Sequence, residues 1–124
     1  MKKTLLLSVI FLCAITSHSY SQPIRNTQWK AFIPALSDTI KLTFLNDSCQ
    51  VKNGVGDVLV RSVFSISGDK ITVKDYEGQI ACLSVEGQYS YHQKDSTVVF
   101  SVLQDLCNGR VAAFDGVIWT NVKK

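Results

Sequence analysis

The sequence predicts an all-β fold: an antiparallel up-and-down barrel of about eight strands. Three observations predict it. Apolar residues alternate with polar ones through several short runs, as in Ile40, Leu42 and Phe44 against Thr39, Lys41 and Thr43. Glycine-containing turn signals separate those runs at regular intervals. No window shows sustained helical spacing with a cap.

The chain opens with Met1-Lys2-Lys3 and an almost wholly apolar run, Thr4 to Thr16. A basic start, a short apolar core and small residues after it define a secretory leader. The run is too short for a membrane span, which needs about 20 residues. Ser19-Tyr20-Ser21 places small residues where a signal peptidase reads, so cleavage is expected before Gln22. Cys13 raises a lipoprotein alternative. Leu12 stands where lipoprotein processing wants a small residue, so lipidation is not expected. The division is then 1–21 leader and 22–124 barrel domain, with a secreted or periplasmic location and no membrane span after cleavage.

Removing 21 of 124 residues leaves 103, enough for one small domain. Two of the 13 basic residues leave with the leader, so 11 stand against 10 acidic ones and the net charge falls from +3 to +1. No basic stripe remains to neutralise phosphates, which argues against nucleic-acid binding. Export implies an oxidising compartment.

Strands are expected near Trp29–Ile33, Thr39–Leu45, Cys49–Lys52, Val58–Ser67, Lys70–Asp75, Gln88–Gln93, Thr97–Gln104 and Val117–Val122. Val58, Val60, Ser62, Phe64 and Ile66 share one face of the fourth run, with Arg61 and Ser65 opposite. Ser67-Gly68-Asp69, between two alternating runs, is a hairpin signal. Lys94-Asp95-Ser96 marks another turn, between two runs that carry Cys82 and Cys107 near their outer ends. The reading is a hairpin clamped by a Cys82–Cys107 disulfide. A zinc pair is the alternative, but Cys49 and His92 complete no recognisable ligand pattern with those cysteines. No metal or cofactor is therefore expected. Cys49 is left over, as a small buried thiol or, alternatively, a partner in an intermolecular disulfide.

Three stretches together resemble the lipocalin-like, or calycin, group of small secreted bacterial barrels. They are Asn26-Thr27-Gln28-Trp29; Gly87-Gln88-Tyr89-Ser90-Tyr91; and Asp105-Leu106-Cys107-Asn108-Gly109-Arg110 followed by a last strand with Trp119. The resemblance implies an antiparallel barrel whose apolar interior can hold a small hydrophobic molecule. It also implies that Arg110 lies across an aromatic face and closes one barrel end.

Seven aromatics are the candidate ligand contacts: Trp29, Phe44, Phe64, Tyr89, Tyr91, Phe100 and Trp119. Core packing is the alternative role of each. Catalysis is not expected. His92 and Asp95 fall at a turn, no serine has a nucleophile-elbow context, and acidic residues cluster in turns (Asp57, Asp69, Glu86, Asp95). The expected function is binding of a small apolar molecule in the lumen. The alternative is an interaction or inhibitor module using the loops Asp47–Asp57 and Tyr76–Val85, with the barrel as scaffold. Oligomeric state is not legible.

Overall fold

A computed structural model describes residues 23–122. The expected leader, with Cys13 and the cleavage point before Gln22, lies outside those residues. Alternation sends successive side chains to opposite faces of a strand, and eight strands follow it: β1 (Thr27–Ile33), β2 (Asp38–Phe44), β3 (Ser48–Lys52), β4 (Val58–Ser67), β5 (Lys70–Glu77), β6 (Glu86–Lys94), β7 (Thr97–Asp105) and β8 (Ile118–Asn121). Each pairs antiparallel with its neighbour in sequence, and β8 returns to β1 to close the barrel. The expected all-β, up-and-down architecture is therefore what the chain adopts.

The interior is the sum of the alternating faces. Trp29, Ala31 and Ile33 enter it from β1; Ile40, Leu42 and Phe44 from β2; Cys49 from β3; Val60, Ser62 and Phe64 from β4; Val98 and Phe100 from β7. β5 continues Ile71 and Val73 with Asp75, which is buried on the same face. Register shifts at Arg61/Ser62 and Gln88/Tyr89 let the sheet bend as it closes. Gly78 ends β5 at a φ of 136° against the backbone of Leu59 and Val60, where any side chain would collide.

An up-and-down barrel places alternate connections at the same end. The turns after β2, β4 and β6 are short. Ile24 is fully buried in the chain segment that enters beside them. Arg25 donates to the Asn46 carbonyl (2.9 Å) and lies over the Phe64 ring (5.7 Å). That end is closed. The opposite end carries the 3₁₀ turn Pro34–Leu36, the turn 53–57, the loop 78–85 and the β7–β8 connection.

The β7–β8 connection corrects the sequence reading, which expected no helix. It contains α1 (Asn108–Phe114). At seven residues, with Gly109 inside it and no side-chain cap, α1 is too short to show a period. Tertiary contacts hold it instead: the disulfide at Cys107, the ion pairs of Arg110 and the packing of Phe114.

Outside, Lys30, Lys41 and Lys52 face one another directly across β1, β2 and β3. Like charges directly opposite repel, at a cost of roughly 0.2–1 kcal/mol per pair. Lys41→Glu is therefore expected to raise unfolding stability by up to about 1 kcal/mol in low-salt urea titrations. The gain should shrink as salt is added.

Candidate functional site

The barrel interior has two unequal halves. The half towards the closed end is filled by aromatic rings. Phe44 meets Phe64 edge-on at 5.3 Å, and Phe100 meets Phe114 edge-on at 5.7 Å. What remains between Leu42, Phe44, Tyr89 and Phe100 is a void of about 20 Å³, room for little more than one water.

The half towards the open end holds a cavity of about 230 Å³. Ile33, Ile40, Val51, Val60 and Val73 form its strand walls, α1 contributes Ala113 and Phe114, and Trp119 stacks on Phe114 at 5.4 Å. Leu36 and Ile80 rim it and are exposed. An apolar cavity of about 150 Å³ admits benzene, so this one accepts a somewhat larger small molecule.

One part of the wall is polar. Arg110 projects from α1 and is only 8% exposed. Its Nε donates to Asp105 Oδ2 (2.6 Å), and its Nη2 donates to Asp105 Oδ1 (2.9 Å) and to the Val85 carbonyl (2.7 Å). Nη1 lies 3.0 Å from Asp75 Oδ1 as an ion pair. Asp75 also accepts from the Ser62 hydroxyl (2.6 Å) and the Cys82 N–H (2.9 Å). Tyr89 donates its hydroxyl to Asp105, which takes the Cys107 N–H as well (2.9 Å). Gly87 lies against this pair so closely that a Cβ there would strike the Asp105 carboxylate.

The electrostatics follow from the contacts. Burial pushes the Asp105 carboxyl up, but the Arg110 guanidinium, the Tyr89 hydroxyl and the Cys107 N–H outweigh it and hold the group below the usual carboxylate range. Burial, together with the Asp105 carboxylate, raises the Tyr89 phenol well above its ordinary value. Burial pulls the Arg110 guanidinium down, but Asp105 and Asp75 keep it more firmly protonated than usual.

Cys82 and Cys107 form the expected disulfide, with 6.1 Å between their Cα atoms. It ties the loop before β6 to the start of α1, at the cavity rim. Cys49 is free and buried in the cavity wall, and desolvation pushes its thiol up to about 12. Thiolate is the reactive form, so Cys49 is expected to react negligibly with a thiol reagent in the native protein at neutral pH. In a chain without residues 1–21, a single equivalent should appear after unfolding without reductant, as read by absorbance or mass.

The sequence-predicted contacts are dispersed by this arrangement. Trp119 lines the cavity. Phe44, Tyr89 and Phe100 instead bound the small void, while Trp29 and Phe64 are packed in the core. Trp29 donates its Nε1 to Thr27 (2.7 Å). Tyr91 is half-buried, with its hydroxyl 3.4 Å from the Gly68 carbonyl. Among the described residues, Arg110 lies over no ring. Its guanidinium is taken up by two carboxylates, a stronger attraction than a ring face, and Arg25 makes the ring contact at the other end. His92 is exposed on β6, away from the polar wall.

The residues missed by sequence reading are Ser62, Asp75, Asp105, Ala113 and Phe114. Two had a local signal. Ser62 interrupts the inward face of β4, and Asp75 continues the inward face of Ile71 and Val73. A polar residue on an apolar strand face needs a buried partner. Among the described residues no group of three or more His, Cys, Asp or Glu side chains could hold a metal. No family model, curated protein or solved structure matches the chain.

Proposed function

We infer that the protein is an exported binder that carries a small, mainly apolar molecule at the open end of its barrel. The supporting observation is the cavity of about 230 Å³, walled by aliphatic and aromatic side chains beside a filled lower core. Ligand sites are typically concave and apolar, with a few placed polar groups, and lie in barrel mouths. The lipocalin-like resemblance and the apparent leader point the same way. Binding without catalysis fits the polar wall, because Asp105, Tyr89, Arg110 and Cys49 are all displaced from titration near neutral pH. General acid–base work wants the opposite.

Native mass spectrometry of the protein exported by its own host, purified without detergent or reductant, tests this. The expected spectrum shows the mature chain with one disulfide and a non-covalent adduct of up to a few hundred daltons, lost on denaturation. Ala113→Leu, which fills the cavity, should abolish the adduct. Equal adduct on both proteins would place the ligand elsewhere. A bare mass in both would turn the reading towards an interaction module. That second reading draws on Val55, Ile80, Leu83 and Leu106, which are at least half exposed around the same end.

A further inference from the structure

We propose that the open end of the barrel docks on a lipid bilayer with anionic headgroups. Its apolar loop tips insert, and Lys30, Lys41 and Lys52 meet the headgroups. The inference goes beyond lumenal binding, because it concerns the surface around the mouth.

Every connection at the open end presents an apolar side chain to solvent. Leu36 lies in the 3₁₀ turn, Val55 in the turn 53–57, Ile80 and Leu83 in the loop 78–85, and Leu106 between β7 and α1. Val55 and Leu106 are 84% and 85% exposed. Leu36, Ile80 and Cys107 line the same cavity. Leu83 and Leu106 adjoin the two bridged cysteines, whose Cα atoms are 6.1 Å apart. The tips therefore gather around one mouth. The turns at the closed end are polar by contrast: Asn46, Asp47, Gly68, Asp69, Asp95 and Ser96, with Leu45 the apolar exception. Single exposed apolar residues are ordinary. A set gathered around an opening marks a protein or membrane contact.

Charge and depth favour the bilayer. Lys30, Lys41 and Lys52 line a groove of about 220 Å³ on the outer wall, together with Asn53, Gly54 and Gly56 of the turn that carries Val55. The lysines thus adjoin the rim. Among the described residues none of the three is in a salt bridge. The acidic groups of this end each have a local partner. Asp38 accepts the Gly54 N–H (2.8 Å), Asp57 faces the Asn53 amide (3.4 Å) and Asp115 accepts the Val102 N–H (2.9 Å). Glu77 pairs with Arg61 (3.8 Å), and Glu86 stands opposite Lys74. Three lysines against Asp38 and Asp57 leave the groove side of the rim with a positive surplus. Lys52 ends β3, while Lys30 and Lys41 lie three residues in from Ile33 and Asp38, the open-end residues of their strands. At about 3.3 Å per residue and a strand tilt of about 35–45°, that is roughly 7–8 Å below the rim. Interfacial elements bury their apolar face about 5–10 Å into the headgroup boundary. Inserted tips therefore bring the lysines to the level of the phosphates, where each strengthens attachment. A protein lying flat across the end would leave them uncovered. Docked in this way, the cavity mouth faces the phase in which an apolar molecule dissolves.

Flotation of the exported, disulfide-intact protein with two kinds of vesicle tests this: phosphatidylglycerol mixed into phosphatidylethanolamine, and phosphatidylcholine alone. Binding is expected to be tighter to the anionic vesicles by about tenfold or more, and to weaken as salt is added. Leu83→Ser with Leu106→Ser should weaken it by a similar factor, and so should Lys30→Gln with Lys41→Gln and Lys52→Gln. These five side chains lie outside the core, so both variants should keep the wild-type circular dichroism. On the wild-type protein, a spin-labelled lipid should broaden the amide signals of residues 34–37, 53–57, 78–85 and Leu106, and spare those of 45–47, 68–69 and 95–96. That spectrum decides the orientation without any variant. Absence of binding to the anionic vesicles overturns the inference and leaves the end face to a protein partner. Binding lost in the lysine variant but kept in the leucine variant overturns it too, since charge alone then holds the surface. Equal binding to both kinds of vesicle, or broadening centred on the closed-end turns, does the same. The lumenal reading is tested apart, by the adduct in native mass spectrometry, and either can fail alone.

Discussion

Replacing Arg110 with leucine is expected to lower the unfolding free energy at neutral pH by about 3–5 kcal/mol. The side chain neutralises two buried carboxylates: Asp75, whose side chain is 4% exposed, and Asp105, whose side chain is fully buried. Removing it strands both. For a domain of this size, with a total stability of about 5–15 kcal/mol, that is a large fraction. Urea unfolding followed by tryptophan fluorescence reads it directly. A companion with Arg110→Leu, Asp75→Asn and Asp105→Asn should recover part of the loss, because no bare charge then remains buried. Equal destabilisation in single and triple variants would mean that Arg110 matters through packing alone.

The pH dependence carries the same logic with a definite sign. In the wild-type protein the Asp105 carboxyl is held below its ordinary value, because its bonds to Arg110, Tyr89 and the Cys107 N–H outweigh its burial. A depressed carboxyl contributes stability that is present above the unfolded value and is lost as pH falls through the folded value. Wild-type stability attributable to this site should therefore hold from neutral pH down to about pH 4 and fall below it. Arg110→Leu should behave in the opposite way. With its cation gone, the buried Asp105 carboxylate is relieved by protonation, and stability should rise as pH drops from neutral. Opposite slopes in the two unfolding series test the assignment independently of the size of the neutral-pH loss.

How far the sequence discloses this molecule depends on the range of the interaction. Alternation is local, so the strands are legible: the fourth run is expected over Val58–Ser67 and found there. The disulfide is legible because compartment, cysteine count and hairpin symmetry converge on one pair. α1 is not, since its stability comes from a bridge and ion pairs made with distant parts of the chain. The division of the lumen is not legible either. Strand periodicity says that Phe44, Phe64 and Trp119 all point inward. Their height along the barrel depends on register and bulges, and that height puts two of them in packed core and one on a cavity. Arg110 shows the sharpest divergence. The resemblance pairs it with a ring, whereas its partners are carboxylates on β5 and at the end of β7. Asp75 carries the earlier warning, an acidic residue in step with Ile71 and Val73.

Removing the Cys82–Cys107 bridge is expected to be comparably costly. The two cysteines are 25 residues apart. On the chain-entropy account, a loop of this length stabilises the fold by about 3–4 kcal/mol, by restricting the unfolded chain. Cys82→Ala with Cys107→Ala should lower Tm by roughly 12–30 °C, at about 4–8 °C per kcal/mol for a domain of this size. Entropy is only part of the role of the bridge. Cys82 also donates its backbone N–H to Asp75, and Cys107 precedes the helix that carries Arg110. The bridge thus pins both sides of the polar wall and one edge of the cavity. Ligand binding in the double variant, measured well below its own Tm, is therefore expected to weaken as well. Hydrogen exchange should rise first in residues 78–85 and in α1, and least in β1 and β2. A uniform rise across the barrel would show that the bridge acts on the unfolded chain alone and leaves the cavity rim as it was.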